Sequence, residues 1–165
     1  MKIDLSRYSE DVSCYEPEGL RKKLMVDLMP TMARIKLQRN RCIVATYVPP
    51  SVTKGGIILV NNTVEENRYQ GKSGLLIAAA PSAFDFDELR EEIARRRKGK
   101  TSLATATRDA RAYLGIPQVG DWVSFINSET REFGVPVAGE HTLASCRIVT
   151  DDCIGMVIDD PRLIY

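Results

Sequence analysis

Residues 74–81, which read GLLIAAAP, are the stretch that best decides the fold. A short apolar run with small residues at its end and a proline after it is typical of a buried β-strand. Residues 34–48 are rich in β-branched and aromatic residues, and shorter runs of the same kind return after residue 118. Short strands separated by glycine and proline turns predict a mainly β protein, and we expect a small β-barrel.

Residues 84–115 interrupt this β pattern with two helical patterns. Asp85 or Asp87 is positioned to cap the first helix. Apolar and small residues recur every three to four positions in the second helix: Leu103, Ala106, Ala110 and Tyr113. Gly115 marks its end. We therefore predict a helical hairpin inserted into the β domain, and we expect that it can be shortened because both of its ends lie at turns.

Residues 1–33 precede the first predicted strand, and we predict that they form an N-terminal arm with a short helix. Leu20, Leu24 and Leu28 are four residues apart and form one apolar stripe of that helix, which Pro30 should end. A stripe this narrow has two interpretations. The helix packs on its own domain, or its three leucines contact a neighbouring subunit.

The composition indicates a globular protein and excludes some classes of function. Of the 165 residues, 44% are hydrophobic and 27% are charged, and the net charge is +1. A net charge this small argues against nucleic-acid binding through bulk charge. Because no apolar run has the length of a membrane span and the start does not resemble a signal peptide, we expect synthesis and retention in a cytoplasm.

Residues suited to catalysis or metal binding are sparse. His141 is the one histidine, and its spacing from other residues suggests no orienting partner for a general base. The cysteines are not spaced as a metal site, and Cys42, Cys146 and Cys153 lie in apolar stretches. We therefore predict reduced core thiols, no metal, no cofactor and no enzymatic activity.

Residues 53–59, TKGGIIL, place three aliphatic side chains directly after two glycines. The residues of interest are Gly55, Gly56, Ile57, Ile58 and Leu59. A phosphate-binding loop is excluded because no Lys-Ser/Thr pair follows the glycines. A buried strand is one interpretation, and a flexible loop with an apolar tip is the other.

The order and spacing of these segments resemble the co-chaperonins of the GroES type, and phage-encoded members more than cellular ones. TKGGIIL resembles that family's mobile loop. The segments that resemble its strands are LQRNRCIV (37–44), QGKSGLLIAAAP (70–81), VGDWVSF (119–125) and CRIVTDDCIGMVID (146–159). The resemblance covers about residues 34–81 and 116–159.

The resemblance implies a Greek-key β-barrel over residues 34–159 that assembles into a ring or another oligomer. It places Ile57, Ile58 and Leu59 on the tripeptide that docks in the apical groove of the large chaperonin. The chain departs from the family in its long N-terminal region and in the tail 160–165. It also departs where a short roof hairpin is replaced by the predicted helices.

Two functions are compatible with this resemblance. The departures favour a phage virion protein, which would bind capsid or other virion proteins as a decoration protein, minor capsid protein or head–tail joint. The glycine-containing loop favours a phage-encoded co-chaperonin that caps the host chaperonin in the cytoplasm and assists capsid protein folding. Under either hypothesis the chain binds proteins, and neither nucleic acid nor a membrane is expected as a partner.

Overall fold

The computed structural model describes residues 16–48, 72–98, 101–126, 131–137 and 143–164. Three α-helices lie within these ranges: α1 (Pro17–Met32), α2 (Asp87–Arg97) and α3 (Leu103–Tyr113). The strands are β1 (Arg41–Thr46), β2 (Ser73–Ala79), β3 (Trp122–Phe125), β4 (Arg131–Pro136), β5 (Leu143–Thr150) and β6 (Ile154–Ile158). Two short 3-10 turns follow β5 and β6, at Asp151–Cys153 and Pro161–Leu163.

The described strands form one antiparallel sheet with the order β4-β5-β1-β2-β3-β6. β1 lies inside the sheet, where Ala45 is level with Leu75 of β2 and with Cys146 of β5. Every residue of β1 after Arg41 is buried, because both faces of the sheet are covered. A strand covered on both faces is continuously apolar and does not alternate with polar residues.

Three strands lie between β5 and β6 in the sheet, but only the turn Asp151–Cys153 joins them in the chain. The sheet is therefore strongly rolled. At the start of the turn, the Asp151 N–H donates to the carbonyl of Asn40, just before β1, over 3.0 Å. At its end, the Cys153 carbonyl accepts the N–H of Ile126, just after β3, over 2.9 Å. In a flat sheet, Asn40 and Ile126 would lie towards opposite ends of β1 and β3. At a rise of about 3.3 Å per residue along the strands, these two positions would be about 25 Å apart or more. Pairing of β4 with β6, which would close a barrel, is not observed among the described strands, so the barrel stays a prediction.

Helix α1 covers one face of the sheet. Leu20, Leu24, Leu28 and Met32 are buried in an apolar cluster with residues of all six strands, including Leu75 of β2. Of the two interpretations of the leucine stripe, the structure shows packing on the same chain. The helix and the sheet therefore share one core.

Helix α1 continues to Met32, although we predicted that Pro30 would end it. A proline inside a helix has no N–H to donate to the carbonyl four residues earlier, here that of Val26. The Val26 side chain is 72% exposed, so water reaches this side of the helix. Met32 is buried, and its apolar contacts favour the additional residues.

The inserted helices α2 and α3 cover the other face, where Leu89 and Ala110 pack in a cluster with Val44, Leu76 and Val123 of the sheet. The prediction of two helices within 84–115 is confirmed. Because Leu89 and Ala110 supply part of the core, a deletion that removes them would expose the sheet, and the expectation that the segment can be shortened stays a prediction for its tip. Of the described residues, about 39% are helical and 31% lie in strands, so the fold is mixed α/β: the antiparallel sheet is as predicted, and the share of helix is larger than a mainly β protein implies.

Two predictions at the ends of elements were also wrong. β1 begins at Arg41 and not at Leu37, because Arg39 has a φ of 60°, which interrupts extended backbone. The N-cap position of α2 is Phe86, which provides no side-chain cap. Asp85 instead accepts hydrogen bonds of 2.9 Å from the guanidinium of Arg90.

Candidate interaction surfaces

The residues predicted to bind partners differ in where the structure places them. Residues 55–59, like His141, lie outside the described residues. Leu20, Leu24 and Leu28 are described, and each is less than a tenth exposed. Because these leucines are buried under the sheet of their own chain, they form no exposed surface for a neighbour.

The chain between β1 and β2 is unusually long for two strands that pair directly. The connection covers residues 47–72 and contains the TKGGIIL stretch. Residues 49–71 lie outside the described residues, so the binding loop predicted for TKGGIIL stays a prediction.

The described thiols are poor candidates for nucleophilic catalysis. Cys42, Cys146 and Cys153 are buried. Burial raises the pKa of Cys146 to about 12. Burial and then the negative charge of Asp151 raise the pKa of Cys42 to about 12. A nucleophilic cysteine needs a thiolate, which these values disfavour. Within the described ranges, no cluster of three or more His, Cys, Asp or Glu side chains is placed to hold a metal.

The outer edge of β6 is the first exposed apolar surface. Met156 is 54% exposed and Val157 is 42% exposed, and Ile126 at the adjacent end of β3 is 60% exposed. The strand reads IGMVI and contains neither a charge nor a proline. Edge strands in soluble proteins usually carry charged residues or proline, which block pairing with another chain.

The opposite edge of the sheet, β4, is protected in this way. Its sequence is REFGVP, which provides Arg131, Glu132 and Pro136. Proline lacks the N–H that a pairing strand needs, and charged side chains disfavour burial in an interface. Of the two edges of the described sheet, β6 is therefore the one suited to pairing.

A groove of about 760 Å³ beside α3 is the second surface. One wall is a face of α3 that includes Leu103, Arg108 and Arg111, and the other wall includes Val119. Ala79, at the end of β2, also lines it. Leu103 is 54% exposed and Val119 is 44% exposed, so both present apolar area to solvent. The groove thus combines apolar walls with two cationic side chains.

The basic run at the end of α2 is paired within the chain. The buried carboxylate of Glu92 binds the guanidinium groups of Arg95 and Arg96, the latter over 2.6 Å. The hydrogen bond from Arg95 is the largest cause that lowers the pKa of Glu92. Both arginines also lie over the ring of Tyr113, at 5.8 and 5.2 Å from its centre. Arg95 and Arg96 are therefore neutralised by a carboxylate one turn away in the same helix.

Neither exposed surface was predicted from the sequence. The edge position of β6 follows from the strand order, which local patterns do not reveal. In α3, the recurrence of Leu103, Ala106, Ala110 and Tyr113 was interpreted as one apolar face, whereas only the two alanines are buried. The spacing of Arg108 and Arg111, one turn apart, was the available signal for the groove.

No helix among the described residues is long and apolar enough to cross a membrane. Comparison of the chain with protein-family models gives no match, and comparison with curated proteins gives none.

Proposed function

We propose that this chain is a non-enzymatic structural protein of a phage virion, built on a GroES-like barrel that stays open between β4 and β6. It acts as an oligomer that decorates the capsid, forms a minor capsid component or joins head and tail. The observation that carries the proposal is the exposed apolar edge of β6, including Met156 and Val157. An unprotected edge strand is suited to pairing with another chain and is otherwise an aggregation hazard.

Two features of the fold support the finer parts of this proposal. The short turn Asp151–Cys153 forces the sheet to roll, as a Greek-key barrel over residues 34–159 requires. The inserted helices lie on a sheet face, whereas the resemblance implies a short roof hairpin at their place in the chain. A domain covered in this way is suited to a fixed position among neighbours.

One observation favours the alternative, a co-chaperonin that caps the host chaperonin. Residues 55–59 fall within the long connection between two paired strands, where the resemblance implies the chaperonin-binding loop. In this alternative, Gly55 and Gly56 would allow the segment to adopt the bound conformation, and Ile57, Ile58 and Leu59 would be its apolar anchor. The site of action would then be the cytoplasm and not the particle.

Mass spectrometry of purified phage particles separates the two functions. We expect many copies of the chain per particle, calibrated against the major capsid protein, together with no retention on immobilised host chaperonin. A virion component remains in particles through purification because it is part of the assembly. Absence from particles combined with retention on the chaperonin would contradict the virion proposal and support the co-chaperonin.

Val157→Lys tests whether the β6 edge joins copies of the chain. The substitution places a charge on the unprotected edge, and we expect the dissociation constant of the oligomer to rise about tenfold or more. Sedimentation velocity over a concentration series measures this change. Val26→Lys is the matched control, because it adds the same charge at a valine that is 72% exposed on α1. Equal effects of the two substitutions would show that β6 is not the interface.

A further inference from the structure

We propose that the groove beside α3 binds the exposed acidic face of α2 from a second copy of this chain. The inference rests on the proposed function, since it names a second contact within the proposed assembly. The acidic face and the α3 wall of the groove belong to the inserted helices, which lie outside the segments that resemble the GroES-type family. The contact would therefore be specific to this chain's insertion.

The groove presents two cationic groups with little neutralisation from their own chain. Arg108 and Arg111 are one turn apart on α3 and line the same wall. Arg111 is half-buried, and among the described residues no carboxylate pairs with its guanidinium. Arg108 has an exposed contact of 3.3 Å with the adjacent Asp109. A partly desolvated cation next to apolar walls is a favourable site for a carboxylate.

The first half of α2 presents the complementary chemistry. Glu88 and Glu91 are exposed and have the same one-turn spacing as the two arginines. In the part of the chain that is described, neither glutamate takes part in an ion pair, whereas Glu92 is occupied by Arg95 and Arg96. Phe86 precedes this face and is 40% exposed, which is unusual for a side chain of its size and apolarity.

The two surfaces match in charge and in spacing. Side chains one helical turn apart have β-carbons about 5–6 Å apart, so two glutamates on one helix can meet two arginines on another. Phe86 would then contact the apolar part of the groove near Leu103 and Val119. A groove of about 760 Å³ is large enough to receive an aromatic side chain with part of a helix.

Because the acidic face and the groove are different surfaces, the contact can form twice across a twofold axis or be made head to tail. Head-to-tail contacts form a ring when the rotation closes and an open array when it does not. The net charge of +1 allows copies to approach without strong overall repulsion. Assembly through this contact should weaken with added salt, because its charges lie near the surface.

Charge reversal in the full chain tests the contact by sedimentation velocity. One variant carries Arg108→Glu and Arg111→Glu, and a second carries Glu88→Lys and Glu91→Lys. We expect each reversal alone to raise the dissociation constant of the assembly at least about tenfold, because like charges would face each other. An equimolar mixture of the two variants should assemble again, since each then supplies the charge that the other lacks.

A third variant, Arg97→Glu with Lys98→Glu, is the control. It changes the net charge by the same amount as the arginine reversal at two exposed residues that do not line the groove. We expect it to assemble like the wild-type chain. Equal dissociation of this control, or a mixture that fails to assemble, would overturn the proposal.

Three other outcomes are also decisive. Dissociation by the arginine reversal but not by the glutamate reversal would show that a different acidic segment occupies the groove, which also overturns the proposal. A wild-type chain that is monomeric at every concentration would contradict the proposed assembly as well. Wild-type assembly that neither reversal weakens would contradict this contact alone.

Discussion

Leu28→Ala is expected to lower the free energy of unfolding by about 2–5 kcal/mol, the range for removing a large aliphatic side chain from a packed core. Leu28 is fully buried in the cluster that α1 forms with the sheet. Alanine is the best helix former, so the loss measures packing against the sheet and not helix propensity. Urea unfolding at low protein concentration measures the change.

Val26→Ala is the matched control, because Val26 lies in the same helix and is 72% exposed. We expect a change within about 0.5 kcal/mol. The comparison also tests whether the leucine stripe of α1 stabilises the monomer or an interface between copies of the chain. If Leu28→Ala left the stability of the monomer unchanged and weakened association instead, α1 would be an arm that contacts a neighbour.

Gly74→Ala is expected to destabilise the chain by about 3 kcal/mol, at the upper end for overpacking a core. Gly74 lies in β2, paired with Thr46 of β1 and Val123 of β3. A β-carbon at this position would lie 2.5 Å from the backbone oxygen of Ala45 and 2.5 Å from a methyl group of Val44. The Val44 side chain can change rotamer to avoid the added methyl group. The backbone of β1 at Ala45 cannot move without breaking hydrogen bonds to β2 and β5.

The control for this substitution is Gly155→Ala in the edge strand β6, where an added β-carbon has no neighbour within 4 Å. Thermal unfolding of both variants should show a large loss of stability at Gly74 and almost none at Gly155. Similar losses at the two glycines would mean that strand propensity, and not the close approach of β1, determines the cost.

The sequence predicted the elements whose signals are local. GLLIAAAP forms a buried strand at Ser73–Ala79, close to the predicted range. Gly115 follows α3 with a φ of 65°, a conformation that glycine adopts without strain. Ala106 and Ala110 face the core as their spacing predicts. In each case, the residues that form the signal are close together in the chain.

The remaining features depend on contacts between distant residues. Whether Leu28 belongs to an arm or to the core depends on the sheet face that α1 meets, which the helix pattern does not contain. The apolar edge at Val157 and the groove at Arg111 depend on strand order and on where the inserted helices pack. For the same reason, the amount of helix in the core was underestimated.

The pairing of β1 with β5 has a consequence for synthesis of the chain. Ile43 pairs with Ile148, so β1 has left the ribosome long before its partner is made. At about 5–20 residues per second, it waits several seconds or more with apolar side chains uncovered. Long-range pairings of this kind also slow folding after release, because a large loop must close first. The nascent chain should therefore depend on holding chaperones more strongly than its modest size suggests.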